Sequence, residues 1–292
     1  MKHIHPNNLK YLTNVKYIKC LGNGGCAIVN LYKYIDNKCK KEKKVEERKI
    51  VIKHIKGEWN KQKNKYLLNE YTIGIILHHP YIRETLDIDL IDHSLIFEYC
   101  NGINLFIFLT KTKHILNDEY LYFSQLLDAI EYMHNIGIAH LDIKLENIMV
   151  DIQNKTIKII DFGESRVFHN GFNNNVIKEK GLRGTKQYMS PEEFTDQEYN
   201  PEKVDIWMCG IILYEILYKS IPWEQATINN TRYKCFIRHL NDNNELHPKI
   251  FYKEEKNIDF LKILKKMLNP NPDNRSSILI INNEFKIIKY NF

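Results

Sequence analysis

The sequence predicts an α+β chain, strand-rich up to about residue 100 and helix-rich after it. Three observations point this way. Strand-like segments crowd the first part: Val15–Leu21 alternates apolar and polar residues, and Lys49–Lys53 and Ser94–Cys100 are apolar runs of strand length. A polar break, Asn101-Gly102, follows the last of them. Beyond it the apolar residues fall at helical spacing, with Tyr120, Phe123, Leu126, Leu127, Ile130 and Met133 on one face of Asn117–Asn135. The expected division is a lead-in over 1–13, a first lobe over 14–100 and a second over 101–292.

Composition narrows the class. A chain of 292 residues suits one two-lobed unit and little else. The net charge of +6 is concentrated in two lysine-rich stretches, Lys38–Lys49 and Lys53–Lys65, with no aromatic-plus-basic platform beside them, so nucleic-acid binding is not expected. Abundant Lys, Asn and Ile fit an AT-rich coding sequence without any functional reason. Cys20, Cys26, Cys39, Cys100, Cys209 and Cys235 include no C-x-x-C pair, which argues against a zinc knuckle and a disulfide framework. The start, MKHIHPNNLK, has no apolar core for a signal peptide. The longest apolar stretch, Ile206–Tyr218, is interrupted by Glu215, too short and too charged to span a bilayer. A soluble cytoplasmic chain without membrane insertion is the expectation.

The stretch that carries chemistry is His140–Asn147, HLDIKLEN. Asp142 can accept a proton from an incoming hydroxyl, Lys144 can steady a phosphate, and Asn147 can offer an oxygen to a metal ion. Fourteen residues after Asn147 comes Asp161-Phe162-Gly163, a second carboxylate suited to Mg²⁺. These motifs resemble the H-R-D-x-K-x-x-N loop and D-F-G site of the eukaryotic protein kinases, with Leu141 where most of that family has Arg. The alternative for Asp142 and Asp161, solvated loop carboxylates, does not explain Lys144, Asn147 and Gly163 at matching offsets. His140 reads as a core histidine that orients the loop.

The resemblance extends to the elements before the loop. Val15–Leu21 runs into Gly22-Asn23-Gly24-Gly25-Cys26-Ala27-Ile28-Val29, and a second strand continues through Tyr32. Glycines let a hairpin backbone approach phosphates without a clashing side chain. The segment is similar to G-x-G-x-x-G-x-V, with Ala27 in place of the third glycine. It implies ATP binding along Leu21–Val29, Leu21, Gly22, Asn23, Gly24, Gly25, Cys26, Ala27, Ile28 and Val29 included. Cys26 is read as a small tolerated residue. Asp36–Arg48 reads as a solvated charged loop. Lys53, ending an apolar run, resembles the lysine of V-A-I-K and would pair with the α- and β-phosphates, ahead of Lys49 and Lys56. Its acidic partner would be Glu70, on a helix over Lys65–Leu77 with apolar Leu67, Leu68, Tyr71, Ile75 and Ile76, ended by His79-Pro80; Glu58 precedes that periodic segment. Ser94–Cys100 resembles the hinge, with the backbone of Glu98 and Cys100 at the adenine edge, Phe97 closing the back of the pocket and Asn104 near the ribose.

After the loop, Asn117 reads as an N-cap with Asp118 and Glu119 in the first turn. A hairpin of Ile148–Val150 and Thr156–Ile160 would deliver Asp161. Gly184–Glu192 is similar to G-T-x-x-Y-x-A-P-E, so Thr185 would hydrogen-bond Asp142 and Lys144, and serine/threonine substrates are implied. Leu141 removes an arginine that clamps a phosphorylated loop in many relatives. Between Arg166 and Gly184 there is also no Ser, Thr or Tyr, leaving Ser165 and Thr185 as the nearest hydroxyls. A chain that does not use that switch is expected, either constitutively competent or governed by a regulatory protein partner. Asp205, in a D-x-W-x-x-G helix start, would hold the catalytic loop, and Arg275 would pair with Glu192. Ile221–Phe236 reads as a polar segment which, with the loop, is similar to the fungal nitrogen-permease-reactivator and halotolerance kinases. Glu146 matches a carboxylate that reads Arg in substrates of basophilic relatives. Taken together, the resemblance implies a bilobal protein-kinase fold using ATP and Mg²⁺ on protein Ser or Thr. A scaffold that has lost activity is the rival, motivated by Leu141 and Ala27; it is opposed by the presence of Lys53, Glu70, Asp142, Asn147 and Asp161. A small-molecule kinase is a third reading, opposed by Ser190-Pro191-Glu192 and Arg275.

Overall fold

The computed structural model describes residues 12–36, 47–111, 116–169, 175–195, 197–241 and 258–290. The chain divides into two compact units, Met1–Cys100 and Asn101–Phe292. Most of the expected lead-in and charged loop lies outside the described residues. Of the latter, Asp36 ends one strand while Glu47 and Arg48 open the next.

The first unit is an antiparallel sheet of β1 (Leu12–Asn23), β2 (Ala27–Asp36), β3 (Glu47–Ile55), β4 (Thr85–Asp89) and β5 (Ser94–Glu98), ordered β1-β2-β3-β5-β4. Helix α1 (Lys61–Gly74) lies between β3 and β4 in sequence. Alternation along β3 separates two apolar clusters. Val51 packs with Leu31, Leu67, Leu95 and Phe97, whereas Ile50 and Ile52 pack with Tyr32 and Ile96. Lys53 shares the parity of Val51, the face that receives Leu67 of α1.

Helix α1 starts four residues before the expected span, because Asn60 caps it by accepting a hydrogen bond from Lys63 N at 3.0 Å. Its buried stripe also differs from the expected one. Leu67, Glu70, Ile73 and Gly74 are buried, while Leu68 and Ile76 are 38% and 52% exposed. Reading apolar residues alone misplaced the stripe, since its centre is a carboxylate.

In the second unit, β6 (Ile103–Asn104), β8 (Ile148–Asp151) and β9 (Thr156–Ile159) form one small sheet, and β7 (Ile138–Ala139) pairs with β10 (Arg166–Val167). The helices are α2 (Leu105–Lys111), α3 (Leu116–Asn135), α4 (Pro201–Tyr218), α5 (Thr231–Asn241), α6 (Ile258–Met267) and α7 (Ile278–Tyr290). On α3, Phe123, Leu126, Leu127, Ile130 and Met133 are fully buried, joined by Tyr122, while Tyr120 is half-buried. The described part of the helix starts at Leu116, and the side chain of Asn117, expected as its N-cap, lies outside the described residues.

Helix α4 is buried on nearly every side, from Val204 to Leu217. Asn200 caps it through Glu202 N at 3.0 Å, and Pro201 occupies the first turn, where its missing N–H costs nothing. Beyond it, the stretch from Ile221 to Phe236 is not the polar segment its composition suggests. Trp223, Tyr233 and Phe236 are buried, with ring centroids 5.0–5.1 Å from Trp223, and Trp207 of α4 stands 5.7 Å away. Widely spaced aromatics converge here on one core. Among the described residues no helix is long and apolar enough to cross a membrane.

Candidate active site

In the first unit, strand parity and helical spacing bring Lys53 and Glu70 together. Lys53 Nζ donates to Glu70 Oε2 at 2.8 Å and Oε1 at 3.0 Å, with Glu70 fully buried. A second cation, Arg83, lies 3.7 Å from Glu70 Oε1, its guanidinium stacked 3.4 Å over the Phe97 ring. The sequence reading missed Arg83, which no local pattern marks out. Lys49 sits near the Tyr99 ring at the exposed start of β3, and Lys56 bonds to Asn23 Oδ1 and, at 2.7 Å, to Gly24 O at the hairpin tip. The tip itself is held by Gly24 N to Ala27 O at 3.1 Å and by Lys56 N to Cys26 O at 2.8 Å. Leu21 and Asn23–Cys26 are exposed, and Gly22 and Ala27–Val29 are half-buried. A Cβ added at Gly22 or Gly25 would meet no atom of the chain within 4 Å, so packing within the chain does not explain these glycines. The Glu98 N–H is engaged by Glu84 O at 3.1 Å, and Cys100 is half-buried at the end of this unit.

In the second unit three donors converge on the Asp142 carboxylate. Lys144 Nζ lies 2.7 Å from Oδ2, Asn147 Nδ2 lies 3.0 Å from Oδ2, and the Thr185 hydroxyl donates to Oδ1 at 3.2 Å. Lys144 also donates to Thr185 Oγ1 at 3.0 Å. Gly184 brings Thr185 into place. Its φ of +74° suits glycine, and a Cβ there would sit 2.6 Å from Leu141 O and 2.8 Å from Asp142 Oδ1. Asn104 accepts a hydrogen bond from Ile107 N at 2.9 Å and so caps α2.

The loop carrying Asp142 is pinned from below. Asp205 of α4, fully buried, accepts from His140 N at 2.7 Å and Leu141 N at 2.8 Å, and His134 Nε2 lies 2.9 Å away. Leu141 is fully buried in left-handed backbone, φ +64°, a conformation that costs a bulky residue about 1–3 kcal/mol. The Asp205 bonds, to Leu141's own N–H and to that of His140 before it, offset that cost. His140 accepts from Asp142 N at 3.3 Å, and its ring packs against Phe162 at 5.4 Å. Asp161 too is left-handed, φ +68°, directly after Ile160, whose N–H donates to Asn147 O at 2.9 Å. Among the described residues no group of three or more His, Cys, Asp or Glu side chains is gathered for a metal. Asn147 and Asp161 are hard oxygen donors of the kind that bind Mg²⁺ together with phosphate oxygens.

The segment after Thr185 is fixed by charge. Arg275 meets Glu192 through two bonds of 2.6 and 2.7 Å, lies 4.8 Å over the Trp207 ring and reaches the Asn269 and Lys203 carbonyls. Ser190 and Glu193 form a capping box, and burial pushes Glu193 up to about 8 against the Ser190 donors. Nearby, a pocket of about 270 Å³ is lined by Glu146, Gln187, Tyr188, Glu215 and Lys219 among others. The Tyr188 hydroxyl donates to Glu215 at 2.7 Å. Burial pushes Glu215 up to about 7; the Tyr188 hydrogen bond opposes this and the Glu146 charge adds to it.

The chain matches the protein kinase domain family over residues 15–285. It is 40% identical to "Serine/threonine-protein kinase ppk8" of Schizosaccharomyces pombe over 183 residues, 62% of this chain and 35% of that protein. It is 32% identical to "Nitrogen permease reactivator protein" of Saccharomyces cerevisiae over 231 residues, 76% of this chain and 28% of that one. "Probable serine/threonine-protein kinase HAL5-like" of Vanderwaltozyma polyspora is 31% identical over 297 residues, 88% and 38% respectively. The chain thus spans roughly a third of the length of these relatives. The family match and the fold of each unit agree, and the chain belongs to the protein kinase domain family.

Proposed function

We propose that this chain moves the γ-phosphate of ATP onto serine and threonine hydroxyls of protein substrates. The observation that carries the reading is the convergence of Lys144, Asn147 and Thr185 on Asp142. In this reading the substrate hydroxyl oxygen forms a bond to the γ-phosphorus, its proton passes to Asp142, and the bond from that phosphorus to the leaving ADP oxygen breaks. Lys144 steadies the transferred group, and Thr185 orients the carboxylate. Lys53, held by Glu70, engages the α- and β-phosphates, and the bare hairpin tip leaves room for phosphates against backbone N–H groups. Asn147 and Asp161 would hold Mg²⁺, which neutralises phosphate charge when bound.

The pocket beside Glu146 supports a preference for substrates with a basic residue. Two carboxylates, Glu146 and Glu215, line it with a tyrosine hydroxyl, against one lysine, Lys219, which pairs with Glu119. The test is transfer from ATP–Mg²⁺ to a mixed Ser/Thr peptide library, with Asp142→Asn as control. Transfer that vanishes in the control, with basic peptides preferred, is the expected result. Equal transfer by the control would overturn the reading.

A further inference from the structure

Four charged side chains in the segment that leads to Thr185 make a closed ring. Arg183 donates to Glu179 at 2.6 Å and lies 3.6 Å from Glu164; Arg166 lies 3.9 Å from Glu179 and 4.0 Å from Glu164. Each arginine therefore faces both carboxylates. All four are partly buried, Glu179 the most, at 18% side-chain exposure, so solvent screens the ring only in part.

The ring ties the start of the segment to its end, and both ends abut the site. Arg166 belongs to β10, which pairs with Ala139 of β7 immediately before His140, and the neighbouring Ser165 hydroxyl donates to His140 O at 3.2 Å. Arg183 precedes Gly184 and Thr185, which contact the Asp142 loop. Glu179 is further held by a two-way backbone pair with Tyr199, at 3.0 and 2.8 Å, while the Tyr199 hydroxyl donates to Gly181 O at 2.8 Å. No residue from Val167 to Arg183 carries a hydroxyl that could acquire a phosphate. The anion that would gather two guanidinium groups is here a built-in carboxylate.

We propose that Glu179 and Arg183 are a positioning pair that holds the segment docked on Asp142 through Thr185 without covalent modification. The proposal rests on the reading of Asp142 as the site of phosphoryl transfer. A permanent carboxylate between two arginines does continuously what a phosphate would do conditionally, at lower charge. Glu164 and Arg166 complete the neutralisation, so removing the Glu179 charge leaves two partly buried guanidinium groups sharing Glu164 alone.

The experiment compares the full chain with Glu179→Gln, Glu179→Asp and Asp142→Asn. Turnover on a peptide, ADP binding, thermal midpoint and hydrogen exchange of residues 175–185 are read for each. Glu179→Gln is expected to lower kcat about tenfold, with ADP affinity within about twofold and faster exchange confined to the segment. Glu179→Asp is expected to keep most of the activity, and phosphatase treatment of the wild type to change nothing. The proposal is overturned by unchanged turnover in Glu179→Gln, by a rate that phosphatase abolishes, or by a midpoint that falls in step with activity. If the wild type transfers no phosphate, the reading of Asp142 fails separately. Exchange still judges the pair, because equal protection in wild type and Glu179→Gln refutes it.

Discussion

At the tip of the β1–β2 hairpin, a methyl group added to Gly22 or Gly25 would touch nothing; at Gly184 it would run into Leu141 O and the Asp142 carboxylate. Both stretches are glycine-bearing loops, yet they are held in opposite ways. The hairpin tip is exposed, closed by the Gly24 N to Ala27 O bond and tethered by Lys56, through its backbone N–H to Cys26 O and its side chain to Gly24 O. The loop around Asp142 is fastened by Asp205 beneath, by Thr185 above and by Asn147 from within. A lightly held backbone can close around a phosphate chain and release it, whereas a group that receives a proton must sit still relative to its neighbours.

The contrast can be broken by substitution. Asp142→Asn removes the proposed proton acceptor and keeps its shape; on that reading transfer should fall by about 10³-fold with an unchanged thermal midpoint, measured by single-turnover kinetics. Asp205→Ala unfastens the loop while leaving every reacting group present. Two buried N–H groups lose their acceptor beside a strained Leu141, so stability should fall by about 3 kcal/mol in urea titrations and activity by about 100-fold. A loss in stability alone would show that the loop holds itself.

Glu215 permits a test by pH. Its value of about 7 lies above the ordinary 4.5, so the folded chain holds a proton there that the unfolded chain releases. The stability this contributes is complete below about pH 4.5 and is lost as pH rises through about 7; Glu193 behaves alike through about 8. In the pocket the sign for binding is opposite, because an ionised Glu215 beside Glu146 attracts a cation. KM for an arginine-containing peptide should fall about tenfold between pH 6 and 8, and Glu215→Gln should flatten that profile without altering a neutral peptide. The smallest effect is at the hairpin. Gly25→Ala meets no atom of the chain and narrows the unfolded ensemble, so it should raise stability by about 0.5 kcal/mol. If the tip binds ATP as proposed, KM for ATP should rise about threefold, because the added methyl would take up space beside the nucleotide. A fall in stability would mean that the tip packs more closely than its geometry implies.

How much could be read beforehand depends on distance along the chain. Four of the five strands of the first unit and helix α3 followed from apolar runs, alternation and helical spacing, because each pattern shows within a few residues; β4, short and rich in Asp, was not foreseen. Helix α1 was displaced because its stripe contains a charge, and the aromatics around Trp223 passed for a polar stretch because spacing does not reveal which core they join. Glu215 was visible only as an interruption in an apolar run. Its presence on a buried helix was the signal, since burying a carboxylate costs stability unless a partner such as the Tyr188 hydroxyl bonds to it.

Asp142, Lys144 and Asn147 meet because they lie two and five residues apart in one loop, and Lys53 turns toward α1 because strands alternate. Such relations depend on backbone geometry over a turn or a strand, which the order of residues already specifies. The ring of Glu164, Arg166, Glu179 and Arg183, the second cation on Glu70 and the facing of Glu215 toward the pocket of Glu146 join residues that no local period connects. Those relations exist once distant elements pack and water is displaced, because only then are charges close enough, and shielded enough from solvent, to act on one another.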